Sequence, residues 1–441
     1  MFYNILARKM GKKFPQKQGG APMKDDILIR EKVNEQLVKF SDKLSEGLKK
    51  TKKKFIHQML FGIQASKDIK LSEISRSLDE EIKLIKTENR LSRNIQEPTL
   101  GEHINDKVLQ QAKNRIGQDT VLAVDITHIH KPYAKKMDFL TRVWDGMKKE
   151  TVNGYWVLEV IGANIYDEYL LPLYSELYSQ DADGFKSENR QILKAIATVN
   201  RYSKGKGIYV IDRGGDRKEL IKSMLLGNLR FIIRIKQERL YLLGNNRKKK
   251  AEDIAERFIE YNQRYKLEID NQGFKEKRVV ELGKKKVKIP QIKEELWLVA
   301  IKGFGDKPML LLTNVDKNPV IILEMYLTRW KVEESIRFLK QEYNLEDVRV
   351  RSYPGLRNTV SFLLAVFYFL SVYLGRKLKL NILLKKIYEK AKRFFQIPPF
   401  KHYALADGIF RILFNTRWRW PWKKRKSQSN EKQLLLFPLL T

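Results

Sequence analysis

The stretch YLTRWKVEESIRFLKQEYNL, residues 326–345, spaces a phenol, a guanidinium, a carboxylate and an ammonium along one helical pattern. At about 100° per residue, Tyr326, Arg329, Glu333 and Lys340 fall within an arc of roughly 60°. Val332, Ile336, Leu339 and Tyr343 form the apolar side next to it. Polar groups at the edge of a buried face are where a helix presents chemistry into a cleft. The plain alternative is an amphipathic helix with surface ion pairs, Glu333 pairing with Arg329 or Arg337 at four-residue spacing. Two further acids favour chemistry. Asp125 follows VLAV and Asp212 follows YVI. An acid on a buried apolar strand is costly unless a metal or a basic side chain compensates it. Three carboxylates on separate core elements suit a hard cation with oxygen ligands. Two such cations, about 4 Å apart, would clamp an in-line displacement at phosphorus, one activating the attacking hydroxyl and the other stabilising the leaving oxygen. Arg329 would hold a phosphate as a fork and Lys340 as a point charge.

Composition agrees with a phosphate-bearing partner. The 441 residues carry 87 Lys and Arg against 52 Asp and Glu, a net charge of +35. Such an excess favours a polyanion, because each phosphate contact releases condensed counterions. The chain has no cysteine, which excludes disulfides, thiolate metal sites and cysteine nucleophiles. VSFLLAVFYFLSVYLG, residues 360–375, is the long apolar run. It is short for a membrane span and normal for a helix buried in a large core, so no membrane partner is expected. The N-terminus shows no signal-peptide pattern.

The elements that must position these residues follow from periodicity. Residues 1–54 read as a lysine-rich arm, although Ile27, Ile29, Val33, Leu37 and Leu44 also fit an amphipathic helix. Residues 55–115 read as a small helical DNA-binding domain of helix-turn-helix type, with its third helix entering a groove. Strands and helices then mix over 116–227, where DTVLAVDITHI, GYWVLEVIGANI and KGIYVIDRGGD read as strands. Residues 228–314 read almost entirely as strand, punctuated by Gly244, Gly273, Gly283, Pro290 and Gly305, with one helix at AEDIAERFIEYNQ, and are expected to form an antiparallel sheet packed beside the core. Helices return over 315–400, and 401–441 reads as a basic tail. The fold class is therefore α/β.

The spacing of Tyr326, Arg329, Glu333 and Lys340 resembles the Tyr-Arg-Glu-Lys signature of bacterial insertion-sequence transposases, the branch called insertion sequence family four of the Asp-Asp-Glu superfamily. VDITHI is similar to that family's first-aspartate strand and IDRGGD to its second-aspartate motif. The strand-rich insertion before the glutamate is also a family trait. The resemblance covers roughly residues 115–375. It implies a ribonuclease H-like catalytic core with a β-rich insertion and a helical N-terminal region. It implies Asp125, Asp212 and Glu333 as catalytic residues and as ligands of Mg²⁺, two ions, with Mn²⁺ as a substitute. Tyr326, Arg329 and Lys340 would bind DNA near the cleavage point. The partner would be double-stranded DNA, element ends and target, bound by a homodimer in the bacterial cytoplasm. The reaction would be hydrolysis at the element end followed by strand transfer of the freed 3′-hydroxyl, in a cut-and-paste scheme. Members also flip a base near the cut onto an aromatic ring. Trp297 is a candidate, although a tryptophan on a strand is more often core.

Other candidates are weaker. Asp119, Asp138 and Asp216 do not follow apolar runs as directly. His128 and His130 share a strand face without a third ligand, which favours a structural role or proximity to DNA. Gly214 and Gly215 form a turn rather than a phosphate-binding fingerprint. Two other functions fit the same residues: a transposase relic that binds DNA without cutting it, and a ribonuclease H-like nuclease without strand transfer.

Overall fold

The computed structural model describes residues 24–374 except 147, 167–168, 245–246 and 272–273, together with 387–388, 390–391 and 401–415. The arm expected over 1–23, parts of 375–400 and the tail from 416 onward lie outside the described residues.

The apolar spacing near the N-terminus closes into helices. The helix Lys24–Leu44 buries Ile29, Val33, Leu37, Phe40 and Leu44, so from residue 24 the expected arm is replaced by a packed amphipathic helix. Its Lys32, Lys39 and Lys43 are exposed away from that face, which is why composition alone suggested an arm. Four more helices follow: Lys50–Ser66, Leu71–Leu78, Leu84–Ile95 and Leu100–Ala112. They do not stand apart as a domain of 55–115. Asn105 on the last of them is buried and exchanges both amide hydrogen bonds with the backbone of Ser175, accepting from its N–H at 3.0 Å and donating to its carbonyl at 3.1 Å. Asn358 donates to the carbonyls of Ile95 and Glu97 at 2.6 and 2.7 Å. That amide satisfies carbonyls left open where the helix Leu84–Ile95 ends. Asn358 lies on the helix Tyr353–Tyr368, which a π-helical turn extends to Leu374. By length and hydropathy this segment could cross a membrane, but nearly all of its apolar stretch is buried inside the protein. The helix His402–Asn415, within the expected tail, packs on Lys50–Ser66 with Leu405, Ile409, Ile412 and Leu413 buried.

The described strands form one twelve-stranded mixed sheet. β1 (Val121–His130) lies inside it, antiparallel to β3 (Glu150–Ala163) and parallel to β5 (Ile208–Ile211). β2 (Thr141–Asp145) and β4 (Leu170–Tyr178) both pair with β3. β6 (Phe231–Arg234) pairs parallel with β5. Gly154 on β3 faces the carbonyl of Ile129 so closely that a Cβ would sit 2.1 Å from it, and only glycine allows the two strands to pair there.

The region 228–314 departs from expectation. It is strand-rich, comprising β6, β7 (Leu240–Leu242), β8 (Lys248–Lys250), β9 (Gln263–Asn271), β10 (Phe274–Lys288), β11 (Glu295–Lys302) and β12 (Met309–Thr313), and its one helix is Ala251–Arg257. It does not form a separate sheet beside the core. β6 belongs to the central sheet, and β12 pairs antiparallel with β6 through Leu311–Arg234, Leu312–Ile233 and Thr313–Ile232. The insertion extends the core sheet by its open edge, which leaves that edge covered rather than exposed.

Two expectations follow. Asn105→Ala leaves the Ser175 N–H and carbonyl buried without their partner, and should cost about 1–3 kcal/mol in urea unfolding, while the exposed Asn89→Ala should stay within about 0.5 kcal/mol. Burial pushes His57, held against Ser41 at 3.0 Å, down from 6.5 to about 3. The unfolded chain therefore takes up the proton first, so stability is intact above about pH 6.5 and is lost as the pH falls toward 3. Between pH 6.5 and 5.5 the loss from this one group should be about 1 kcal/mol, and His57→Gln should flatten that part of the stability profile.

Candidate active site

β1 and β5 pair in parallel up to Val124 and Ile211. The next residue on each strand is Asp125 and Asp212, so the register alone sets the two acids side by side on strands about 4.8 Å apart. Asp212 ends its strand and caps the turn Arg213–Gly215, accepting from the Gly214 N–H at 2.8 Å. Gly215 is required there, since a Cβ would press within 2.6 Å of Ile211. On the other flank, Asp125 is the ladder partner of Glu159 on β3. Directly paired residues point to one face of a sheet, so Glu159, Asp125 and Asp212 form a lateral row across three strands.

The third expected acid arrives from two helices rather than one. Asn318 accepts from the Val320 N–H at 2.9 Å and Pro319 opens the first helix, Pro319–Thr328. The second is Trp330–Glu342. At the junction, the Arg329 N–H bonds to the Tyr326 carbonyl, three residues back, at 3.1 Å. The continuous 326–345 helix expected from periodicity is thus broken by one tightened turn at Arg329. That turn directs the guanidinium inward, where it is 8% exposed. One arm lies 3.6 Å from Asp125 Oδ1 and the other donates to Glu333 Oε1 at 2.7 Å. The Tyr326 ring, 1% exposed, lies beneath, 5.9 Å from the guanidinium carbon. The ion pair foreseen as the plain alternative exists, and it lies inside the acid cluster.

The electrostatics show how close the acids are. Burial pushes Asp125 up to about 7; Asp212 and Glu333 push the same way and Arg329 opposes them. Burial likewise lifts Glu159 to about 7, with Asp125 adding to it and the Ser175 hydroxyl, 3.3 Å away, opposing. The other oxygen of Glu159 is buried without a hydrogen-bond partner. For Arg329, burial acts to lower the pKa, but Asp125, Tyr326, Glu333 and Asp212 outweigh it and raise it. The donor set is all carboxylate oxygen, which fits a hard divalent cation. Among the described residues no three acids or imidazoles are gathered tightly enough to hold an ion as they stand, because Arg329 lies between two of them.

The family model described as "Transposase DDE domain" matches residues 116–369, which holds Asp125, Asp212 and Glu333. The chain belongs to the DDE-domain transposase family. No curated protein matches the sequence significantly. Among solved structures, a piggyBac transposase synaptic complex with hairpin DNA aligns over 95% of this chain and 87% of that one, at 12% identity and a TM-score of 0.40, too distant a likeness to bear on function.

In this transposase-family chain the remaining candidates take definite places. Lys340 is committed, donating to the His128 carbonyl at 2.7 Å and pairing with Glu346 at 3.3 Å. His128 lies 3.7 Å from Asp145 and is held below its ordinary pKa by burial and by Lys340. Asp216 is a buried clamp for Arg239 and the Lys236 N–H, Asp138 caps Tyr353, and Asp119 pairs with Lys317. Trp297 is not core: it is half-buried on the sheet surface with the ammonium groups of Lys284 and Lys286 over its ring, at 4.2 and 5.3 Å. Lys286 is its ladder partner, which sequence spacing does not reveal. Glu159 was missed, although its signal was present, an acid inside the apolar run YWVLEVIG like Asp125 inside VLAVDI.

The bridging position of Arg329 generates a contrast with Arg337, which pairs at the surface with Glu334. Arg329→Gln strands Asp125 and Glu333 together and should cost about 1–2 kcal/mol in urea unfolding at pH 7. Arg337→Gln should cost less than about 0.5 kcal/mol. Equal losses would show that the Arg329 bridge is only surface decoration.

Proposed function

We propose that this chain cuts DNA at the ends of a mobile element and joins the freed 3′-hydroxyl to target DNA, in a cut-and-paste reaction of the kind found in insertion sequence family four. The observation that carries the reading is Arg329 set between Asp125 and Glu333, with Asp212 following the strand paired in parallel with that of Asp125, in a chain of net charge +35. The order β4–β3–β1–β5–β6, antiparallel on one side of β1 and parallel on the other, supports a ribonuclease H-like core.

Asp125, Asp212 and Glu333 would hold divalent Mg²⁺, two ions in this reading, with Mn²⁺ as a substitute. When bound, the metal supplies charge for the attacking and leaving oxygens of an in-line displacement. Asp125, whose burial disfavours its charged form, would bind such a cation as a carboxylate. Arg329, between two of the acids, turns its fork from carboxylate to phosphate, and the Tyr326 ring beneath fixes its height. Lys340 holds β1 through the His128 carbonyl and keeps protons for a phosphate. The helix Leu84–Ile95 buries Thr87, Leu91 and Ile95 and leaves Ile85, Lys86, Asn89 and Arg93 exposed, the form of a helix that reads duplex DNA.

The test is incubation of the purified chain with its own element's end DNA in Mg²⁺ at one fixed salt concentration. Nicking followed by joining is expected. Nicking alone would reduce the activity to that of a nuclease, and a shifted but intact band would reduce it to DNA binding. Glu333→Gln should lower cleavage by more than about a hundredfold while end binding, read by mobility shift, stays near wild type. Lost binding with cleavage retained per complex would overturn the assignment of Glu333.

A further inference from the structure

Two elements leave the acid cluster and meet again at a cleft. β1 runs on from Asp125 to His130. The helix bearing Glu333 leads into the turn Leu345–Asp347 and the segment 348–351. The Lys131 ammonium donates to the carbonyls of Glu346 and Val348, which locks the two paths together. Between them lies a cleft of about 760 Å³, lined among others by Lys131, Tyr133, Lys135, Lys136, Arg349 and Arg351.

Local sequence explains its charge. In VRVR, Val348 and Val350 are buried and Arg349 and Arg351 are exposed, so both guanidinium groups face outward together. Lys135 and Lys136 are exposed on the opposite lip. The acids nearby are already occupied: Glu346 pairs with Lys340 at 3.3 Å and Asp347 with Lys70 at 3.2 Å. Lys135, Lys136, Arg349 and Arg351 have no carboxylate partner among the described residues. Tyr133 stands among them with 94% of its surface exposed. Four like charges without counterions repel one another, a cost that a polyanion removes. A ring left in water beside them gains when a base stacks on it.

The position sets which part of the DNA is meant. Five residues of strand separate Asp125 from His130, roughly 17 Å at about 3.3 Å per residue. A nucleic-acid strand advances about 3.4 Å per nucleotide, so this is about five nucleotides. We propose that the cleft holds the DNA strand about five nucleotides from the cleaved phosphate, its phosphates on Lys135, Lys136, Arg349 and Arg351 and an unpaired base stacked on Tyr133. This rests on the DNA-cleavage reading of the acid cluster, because it takes its distance from that site.

The experiment uses the full chain and two end duplexes, one blunt at the cleavage position and one carrying a single-stranded extension of about ten nucleotides with 2-aminopurine at successive positions. The extended duplex should bind about tenfold more tightly, with fluorescence quenched most near the fifth nucleotide. Tyr133→Ala should remove the quench and most of that gain, while Tyr133→Phe keeps both. Replacing Arg349 and Arg351 together by Gln should lower the salt dependence of extension binding by about 1.4 in the log–log slope. All these side chains are exposed, so the variants are expected to fold. Binding and quenching by Tyr133→Ala equal to wild type would overturn the proposal, and wild-type cleavage in the same samples would show that the cleavage reading survives it. Quenching at the fifth nucleotide by a chain that cuts nothing would uphold the cleft and sink the cleavage reading alone.

Discussion

One guanidinium organises this molecule. Arg329 is buried between Asp125 and Glu333, and the buried Asp125 carboxylate depends on that positive charge beside it. A buried carboxylate is costly alone, and a second and third like charge nearby raise the cost further. Lysine would not serve in its place, because a point charge reaches one acid while a planar fork reaches two. The fork is aimed by the tightened turn between the helices Pro319–Thr328 and Trp330–Glu342, and is backed by the Tyr326 ring. Polar atoms that would be ordinary on a helix surface become, by one turn of backbone, the charge balance of a cluster.

The sheet and its helices exist around that requirement. Parallel pairing of β1 with β5 brings Asp125 and Asp212 together without any side-chain contact having to do so. The sheet then continues through β6 and β12 into the insertion, so the acids lie well inside it rather than at a margin. On the other flank, buried amides rather than apolar contact alone fasten the N-terminal helices to the core: Asn105 to β4 and Asn358 to the end of the helix Leu84–Ile95. A polar group buried with its bonds satisfied fixes a register that apolar packing would leave free to slip. A rigid seat follows for three acids that come from a strand, a strand end and a helix.

Much was legible in the residues themselves. An acid inside an apolar run declares itself, because burial of charge needs a reason, and that logic found Asp125; Asp212, directly after its run, is exposed at the strand end. Applied to YWVLEVIG it would also have found Glu159, which lies beside Asp125 in the ladder. Helical periodicity found the packed helices, the shortness of the apolar run 360–375 pointed to a helix buried in the core, and alternation with glycine and proline breaks found the insertion's strands. Lysine content misled at residues 24–44, since charge describes the outer face of an amphipathic helix and is silent about the inner one.

Sequence by itself determined the element types, the strongly basic surface and the acids that must be compensated, because these depend on neighbours within a few residues. Tertiary structure alone decided which elements pair. That the insertion joins the central sheet through β6 and β12 follows from strand pairing across about eighty intervening residues, and no local period records a partner. That Trp297 meets lysines on the sheet surface, that Lys340 grips β1 and that Lys131 ties β1 to the segment after Glu333 are likewise contacts between distant parts of the chain. Even the direction of Arg329 depended on a single tightened turn, which brings its guanidinium inward between Asp125 and Glu333.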